Sequence, residues 1–173
     1  GVADGDVRLR PAMQGMSESA LGPLDPRAGS ALSVPADRLA TTSLARERQL
    51  ELYRWLKLNR MVEDRLTNLY RQGKVVGGLY SSKGQEAISV GSAYALEPGD
   101  FVGPLIRNLG SMLVRGVAPR EVMTQYMARS TSPTGGKDCN LHFGDRSRGL
   151  VSPISMLGAL IPVMAGFALA AKY

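Results

Sequence analysis

The 173-residue sequence has only one cysteine, Cys139, and one histidine, His142. A lone cysteine excludes an internal disulfide and fits a reducing compartment, so the cytoplasm is the expected location. Cys139 and His142 alone are too few ligands for a metal centre, and none is expected. Aromatics make up 6% of the chain, and the basic residues form no long run although the net charge is +6. A nucleic-acid surface is therefore not expected. Leu150 to Ala171 has about the length of a bilayer span. It contains Ser152, Pro153, Ser155, Gly158, Pro162 and Gly166, and two internal prolines would break a spanning helix. No membrane segment is expected; a buried strand or turn leading to a buried helix fits better. No apolar run of a signal peptide opens the chain, and the acidic residues near its start argue against a transit peptide.

The length suits one ordinary domain or part of a larger one. Residues 1–42 are rich in Gly, Pro, Ala and Ser and read as an extended or mobile arm. From 43 to 72 the pattern changes. Leu52, Trp55, Leu56, Val62, Leu66, Leu69 and Tyr70 recur at spacings of three and four, predicting a long amphipathic helix. Thr42 or Ser43 can cap it, and Gly73 suits the position after its end. The charged residues among these, Glu63 included, read as its solvated face.

Gly84 to Leu96 predicts a second helix with Gly84, Ala87, Ile88, Gly91 and Ala95 on one packing face. Glu86 near its start reads as a partner of the helix dipole, with a catalytic carboxylate as the less favoured reading. Asp100 to Leu105 is a short extended piece. A helix follows from Ile106 to about Arg115, with Gly116 ending it. Pro119 opens another, burying Val122, Met123, Tyr126 and Met127. Met112, Met123 and Met127 suit core filling.

A glycine-rich loop then runs into an apolar segment. It contains Gly135-Gly136-Lys137-Asp138-Cys139-Asn140-Leu141-His142, and the segment ends in Ile161-Pro162. Glycines allow close approach of backbone to a ligand. This is not a nucleotide phosphate loop: Thr131 stands where the first Gly is required, and Asp138 where Ser or Thr is required. A lone loop histidine is most often a hydrogen-bonding residue, with catalysis the alternative. Residues 162–173 read as a helix with no Gly, Asn or Pro stop, as if the sequence ended inside an element.

Taken in order, the motifs resemble a known family. They are Gly84-Gln85-Glu86-Ala87, Ile106-Arg107-Asn108-Leu109-Gly110, Arg115-Gly116, Gly135 to His142, and Ile161-Pro162 with Ala165-Gly166. This set is similar to the alpha subunit of the thiamine-diphosphate-dependent decarboxylating component of 2-oxo acid dehydrogenase complexes, over about residues 45–173. The resemblance implies an α/β thiamine-diphosphate-binding fold, of which residues 43–173 would be the helix-rich N-terminal part. It implies a beta subunit in an α2β2 assembly, a lipoyl-bearing acyltransferase that takes the acyl group, and a 2-oxo acid substrate. Thiamine diphosphate would act as the electron sink for decarboxylation.

Residue by residue, the family's Tyr-Arg pair on the diphosphate maps to Ile106-Arg107, which keeps the charge and loses the phenol. Counting back from Pro162 without gaps places the aminopyrimidine contacts at the Ser155 carbonyl and the Leu157 N–H, with Leu157 as the apolar wedge that bends the cofactor. A three-residue shift to Ser152-Pro153-Ile154 is the other register. The histidine of the family's glycine-rich loop maps to His142, which makes His142 the catalytic candidate. Two family histidines are replaced, by Tyr80 and by Leu109. The family's magnesium motif would lie beyond Tyr173, so the residues present are expected to be inactive alone. The alternative reading is a non-catalytic binding or assembly module of the same fold.

Overall fold

Twenty-six residues free of glycine and proline form α1, Arg46–Arg71, in a computed structural model that describes residues 44–173. The expected arm and the Thr42 or Ser43 cap lie outside the described residues. Ala45 is the N-cap of helix α1, with Glu47 in its positive first turn and Arg71 in its negative last turn. Its end is a Schellman closure: the Lys74 N–H reaches the Leu69 carbonyl at 3.0 Å and the Gly73 N–H reaches Tyr70 at 2.9 Å. The turn requires the φ of +68° that Gly73 adopts.

Four further helices follow: α2 Glu86–Tyr94, α3 Leu109–Val114, α4 Pro119–Tyr126 and α5 Leu160–Lys172. Proline at the first position of α4 leaves no N–H to satisfy, and the Glu121 carboxylate accepts the Ala118 N–H at 2.7 Å. The helix expected from Ile106 starts only at Leu109. Asn108 caps the turn before it, taking the Leu105 N–H and donating to the Ser89 hydroxyl, each at 2.8 Å.

The core is built on the inner face of α1. Val62, Leu66 and Leu69 pack with Leu109, Met112 and Leu113 of α3, Val122 and Tyr126 of α4, and Leu141, Phe143 and Leu150 from the long loop. Helices α2 and α3 meet at Gly110, where any Cβ would come within 2.9 Å of Val90.

Three expectations fail here. Glu63 is not on the solvated face of α1: it is 4% exposed, on the inner face with Asn59 and Val62. The small-residue face of α2 is not its packing face. Glu86, Ser89, Val90 and Ala93 turn inward while Ile88 is 69% exposed. Hydrogen bonds from Asn108 and Ser111 to Ser89 set that rotation. Helix α5 is not buried: Leu160 is its only buried residue, and Phe167 holds it by a tilted stack on Phe101 with centroids 5.1 Å apart.

The β part of the α/β expectation is reduced, among the described residues, to isolated bridges. Val102 pairs with Leu150 and Leu105 with Ile154, both parallel, and Asp145 pairs with Leu150 antiparallel. Pro104 lacks an N–H and Gly103 lies against Met164, so the ladder cannot run on between the two parallel bridges. No helix among the described residues is long and apolar enough to cross a membrane.

Candidate functional site

Two parallel extended segments end side by side. Val102 N–H bonds to the Gly149 carbonyl at 2.8 Å, Val151 N–H returns to Val102 at 3.0 Å, and Leu105 pairs with Ile154 beyond them. Because the pairing is parallel, Ile106-Arg107 and Ser155-Met156-Leu157 leave the same edge together. The carboxyl ends of parallel segments are where open α/β folds bind ligands.

Each candidate residue has a definite place there. Ile106 is buried and anchors the turn, and Arg107 beside it is exposed. Among the described residues no acceptor holds the Arg107 guanidinium, which leaves it able to grip an anion through paired hydrogen bonds. Ser155 is exposed, and Leu157 is 83% exposed, an apolar side chain standing free of the core. Neither the Ser155 carbonyl nor the Leu157 N–H has a hydrogen-bond partner among the described residues. Two free backbone groups of opposite polarity suit a ligand ring carrying both a donor and an acceptor.

His142 joins this edge from the glycine-rich loop. Leu141 and Phe143 are buried on either side and fix the backbone that presents it. The imidazole Nε2 lies 2.7 Å from the Ser155 hydroxyl oxygen, and Nδ1 faces Asp138 Oδ1 at 3.6 Å. The loop itself is tightly wound. Gly136 has φ +78°, and a Cβ there would meet the Ala128 carbonyl oxygen at 2.8 Å. Gln125, fully buried, braces the loop by donating to the Asp138 carbonyl and accepting from Thr134.

Glu86 takes its less chemical role. Its carboxylate pairs with Arg60 and accepts the Gly84 N–H at 2.8 Å. The hydrogen bond from Arg60 holds its carboxyl below the usual carboxylate range. Leu109, where the family resemblance expected a histidine, is a core residue at 3% exposure and presents nothing to a ligand.

Sequence reading missed the network around Glu63. This carboxylate accepts the Ser82 N–H at 2.9 Å and both the Ser81 and Ser82 hydroxyls. The signal was available: Asn59, Glu63 and Leu66 sit at spacings of four and three, on the face of Val62 rather than opposite it. No cluster of three metal-binding side chains exists among the described residues. A cavity of 670 Å³ lies away from this edge, between the first turns of α1 and the end of α2.

With this geometry in place, the family match is decisive: the Dehydrogenase E1 component family matches residues 54–173. The chain belongs to the dehydrogenase E1 component family. Among curated relatives, it is 33% identical over 158 residues to the pyruvate dehydrogenase E1 component subunit alpha-3, chloroplastic, of Oryza sativa subsp. japonica, covering 86% of this chain and 37% of that protein. It is 36% identical over 129 residues to the pyruvate dehydrogenase E1 component subunit alpha of Zymomonas mobilis subsp. mobilis, covering 74% and 36%. It is 31% identical over 138 residues to the 2-oxoisovalerate dehydrogenase subunit alpha of Bacillus subtilis, covering 79% and 42%. The chain thus spans well under half the length of these E1 relatives. Their names include chloroplastic and mitochondrial forms, so kinship does not fix the compartment.

Proposed function

We propose that this chain is the N-terminal portion of the alpha subunit of a 2-oxo acid dehydrogenase, taking part in thiamine-dependent oxidative decarboxylation. One observation carries the reading: the parallel pairing of Leu105 with Ile154 sets Ile106-Arg107 beside Ser155-Leu157, with His142 bonded to Ser155. A single edge thereby offers a cation, a free carbonyl, a free N–H, an apolar wedge and an imidazole.

Thiamine diphosphate, when bound, supplies the electron sink for loss of carbon dioxide. Arg107 holds the diphosphate, with Ile106 fixing the turn under it. The Ser155 carbonyl and the Leu157 N–H would hold the aminopyrimidine, with Leu157 as the apolar wedge beside it. His142 would carry a proton at its Nε2, the atom bonded to Ser155. Magnesium, bound with the diphosphate, would take its ligands from beyond Tyr173, where the family's magnesium motif lies. The two parallel bridges support an α/β fold with residues 43–173 as one domain portion.

A beta subunit in an α2β2 assembly completes the site, and a lipoyl-bearing acyltransferase accepts the acyl group. The single cysteine supports a reducing compartment such as the cytoplasm. The test is turnover. The complete alpha chain assembled with its beta subunit should decarboxylate a 2-oxo acid with an artificial electron acceptor, and His142→Ala should lower kcat at least tenfold. Failure of every 2-oxo acid tried would favour the second reading, a non-catalytic assembly module, for which the burial of Leu109 in place of a histidine speaks.

A further inference from the structure

Glu63 is a buried carboxylate with no cation paired to it among the described residues. The nearby cations are otherwise engaged: Arg60 with Glu86 and Lys83 with Asp64. A buried charge held only by hydrogen bonds is costly, and an apolar residue in its place would often serve stability as well. All of its inter-element bonds come from one short stretch, Ser81 and Ser82. That stretch belongs to the loop from Val76, whose N–H bonds to the Tyr126 carbonyl at 2.9 Å, to the start of α2. At Gly77 the loop lies against the half-buried thiol: a Cβ there would be 3.1 Å from the Cys139 sulfur. Burial, reinforced by the charges of Glu63 and Cys139, raises the Tyr126 hydroxyl above its ordinary range.

We propose that Glu63 is a positioning residue: by gripping Ser81 and Ser82 it holds the 76–82 loop, with Tyr80 on it, against Cys139 at the start of the segment that carries His142. The role in turnover rests on the function proposed above; the anchoring itself does not. Three donors from consecutive residues fix both the height and the rotation of the loop, as two-point anchoring of a single residue would not. Glutamine at this position keeps the shape but offers one acceptor oxygen, and its NH2 confronts a donor.

The experiment is thiol labelling of the full chain with a maleimide, followed at Cys139 by peptide mass spectrometry. Glu63→Gln is expected to label at least fivefold faster than the parent while keeping a cooperative thermal transition. Lys83→Ala, which breaks only the outer pair with Asp64, is expected to label at the parent rate. Should Glu63→Gln not fold, the double change Ser81→Ala with Ser82→Ala replaces it, with a gain of about threefold expected. Equal labelling of parent and variant overturns the proposal, as does an equal gain in Lys83→Ala. In the assembled enzyme, Glu63→Gln should lower kcat/KM for the 2-oxo acid at least tenfold while the thiamine diphosphate Kd moves less than twofold. A parent that binds no thiamine diphosphate would sink the functional reading and leave the labelling result standing.

Discussion

Arg107 is the residue on which the cofactor reading turns. It is exposed, it sits on the turn anchored by buried Ile106, and nothing among the described residues neutralises it. Replacing it with alanine should weaken thiamine diphosphate binding by about 1.5–3 kcal/mol, the range for a hydrogen bond to a charged group. Titration calorimetry of the assembled protein checks this, and an unchanged affinity would mean that the diphosphate lies elsewhere. Core residues make a simpler case. Leu66 is 1% exposed and packs among Leu109, Leu113 and Tyr126, so Leu66→Ala should lower unfolding free energy by about 2–5 kcal/mol through lost burial and a residual cavity. Denaturant melts measure it, with the midpoint falling and the slope unchanged. At this scale the sequence was informative for apolar residues and misleading for one charged one. Val62, Leu66, Met112, Val122 and Tyr126 were legible because spacing alone places them inward. Glu63 was not, because charge argued for water while the spacing argued for the core, and the deciding partners lie in another element.

At the scale of elements, closures explain why helices stop where they do. Helices α1 and α3 end in Schellman turns at Gly73 and Gly116, and α4 ends in the same turn at Ala128, with φ +48°. A Cβ is disfavoured in that conformation. Ala128→Gly should therefore raise stability by about 0.5–1 kcal/mol, read as a higher melting temperature, whereas Gly116→Ala should lower it. The tie between α1 and α2 is electrostatic and depends on pH. Glu86 has its carboxyl lowered by Arg60, so its contribution is complete above the ordinary carboxylate value of about 4.3 and fades as pH falls through the lower folded value. Stability curves of the parent and Glu86→Gln should run parallel from pH 6 upward and converge below about pH 4; a constant gap down to pH 3 would contradict the pairing. Helix existence was legible throughout, from periodicity, Pro119 and Gly73. Helix rotation was not: the small face of α2 turns outward because Asn108 and Ser111, on a neighbouring segment, bond to Ser89.

For the molecule as a whole, the organising feature is a pair of parallel bridges feeding one edge. Nothing in Asp100–Leu105 or Leu150–Ile154 taken separately announces that the two run side by side. The pairing is long-range, and Gly103 and Pro104 disguise the first partner. What the sequence did carry was the order of motifs, which pointed to the E1 family. The structure adds the juxtaposition of Ser155 with His142, thirteen residues apart and joined at 2.7 Å. Next to this edge Met156, Leu157 and Ile161 stand exposed. The most direct measurement is calorimetric titration of thiamine diphosphate, with magnesium present, into the complete alpha chain assembled with its beta subunit. The account predicts saturable binding that depends on magnesium and weakens with Arg107→Ala. An absence of binding in the parent protein would contradict it.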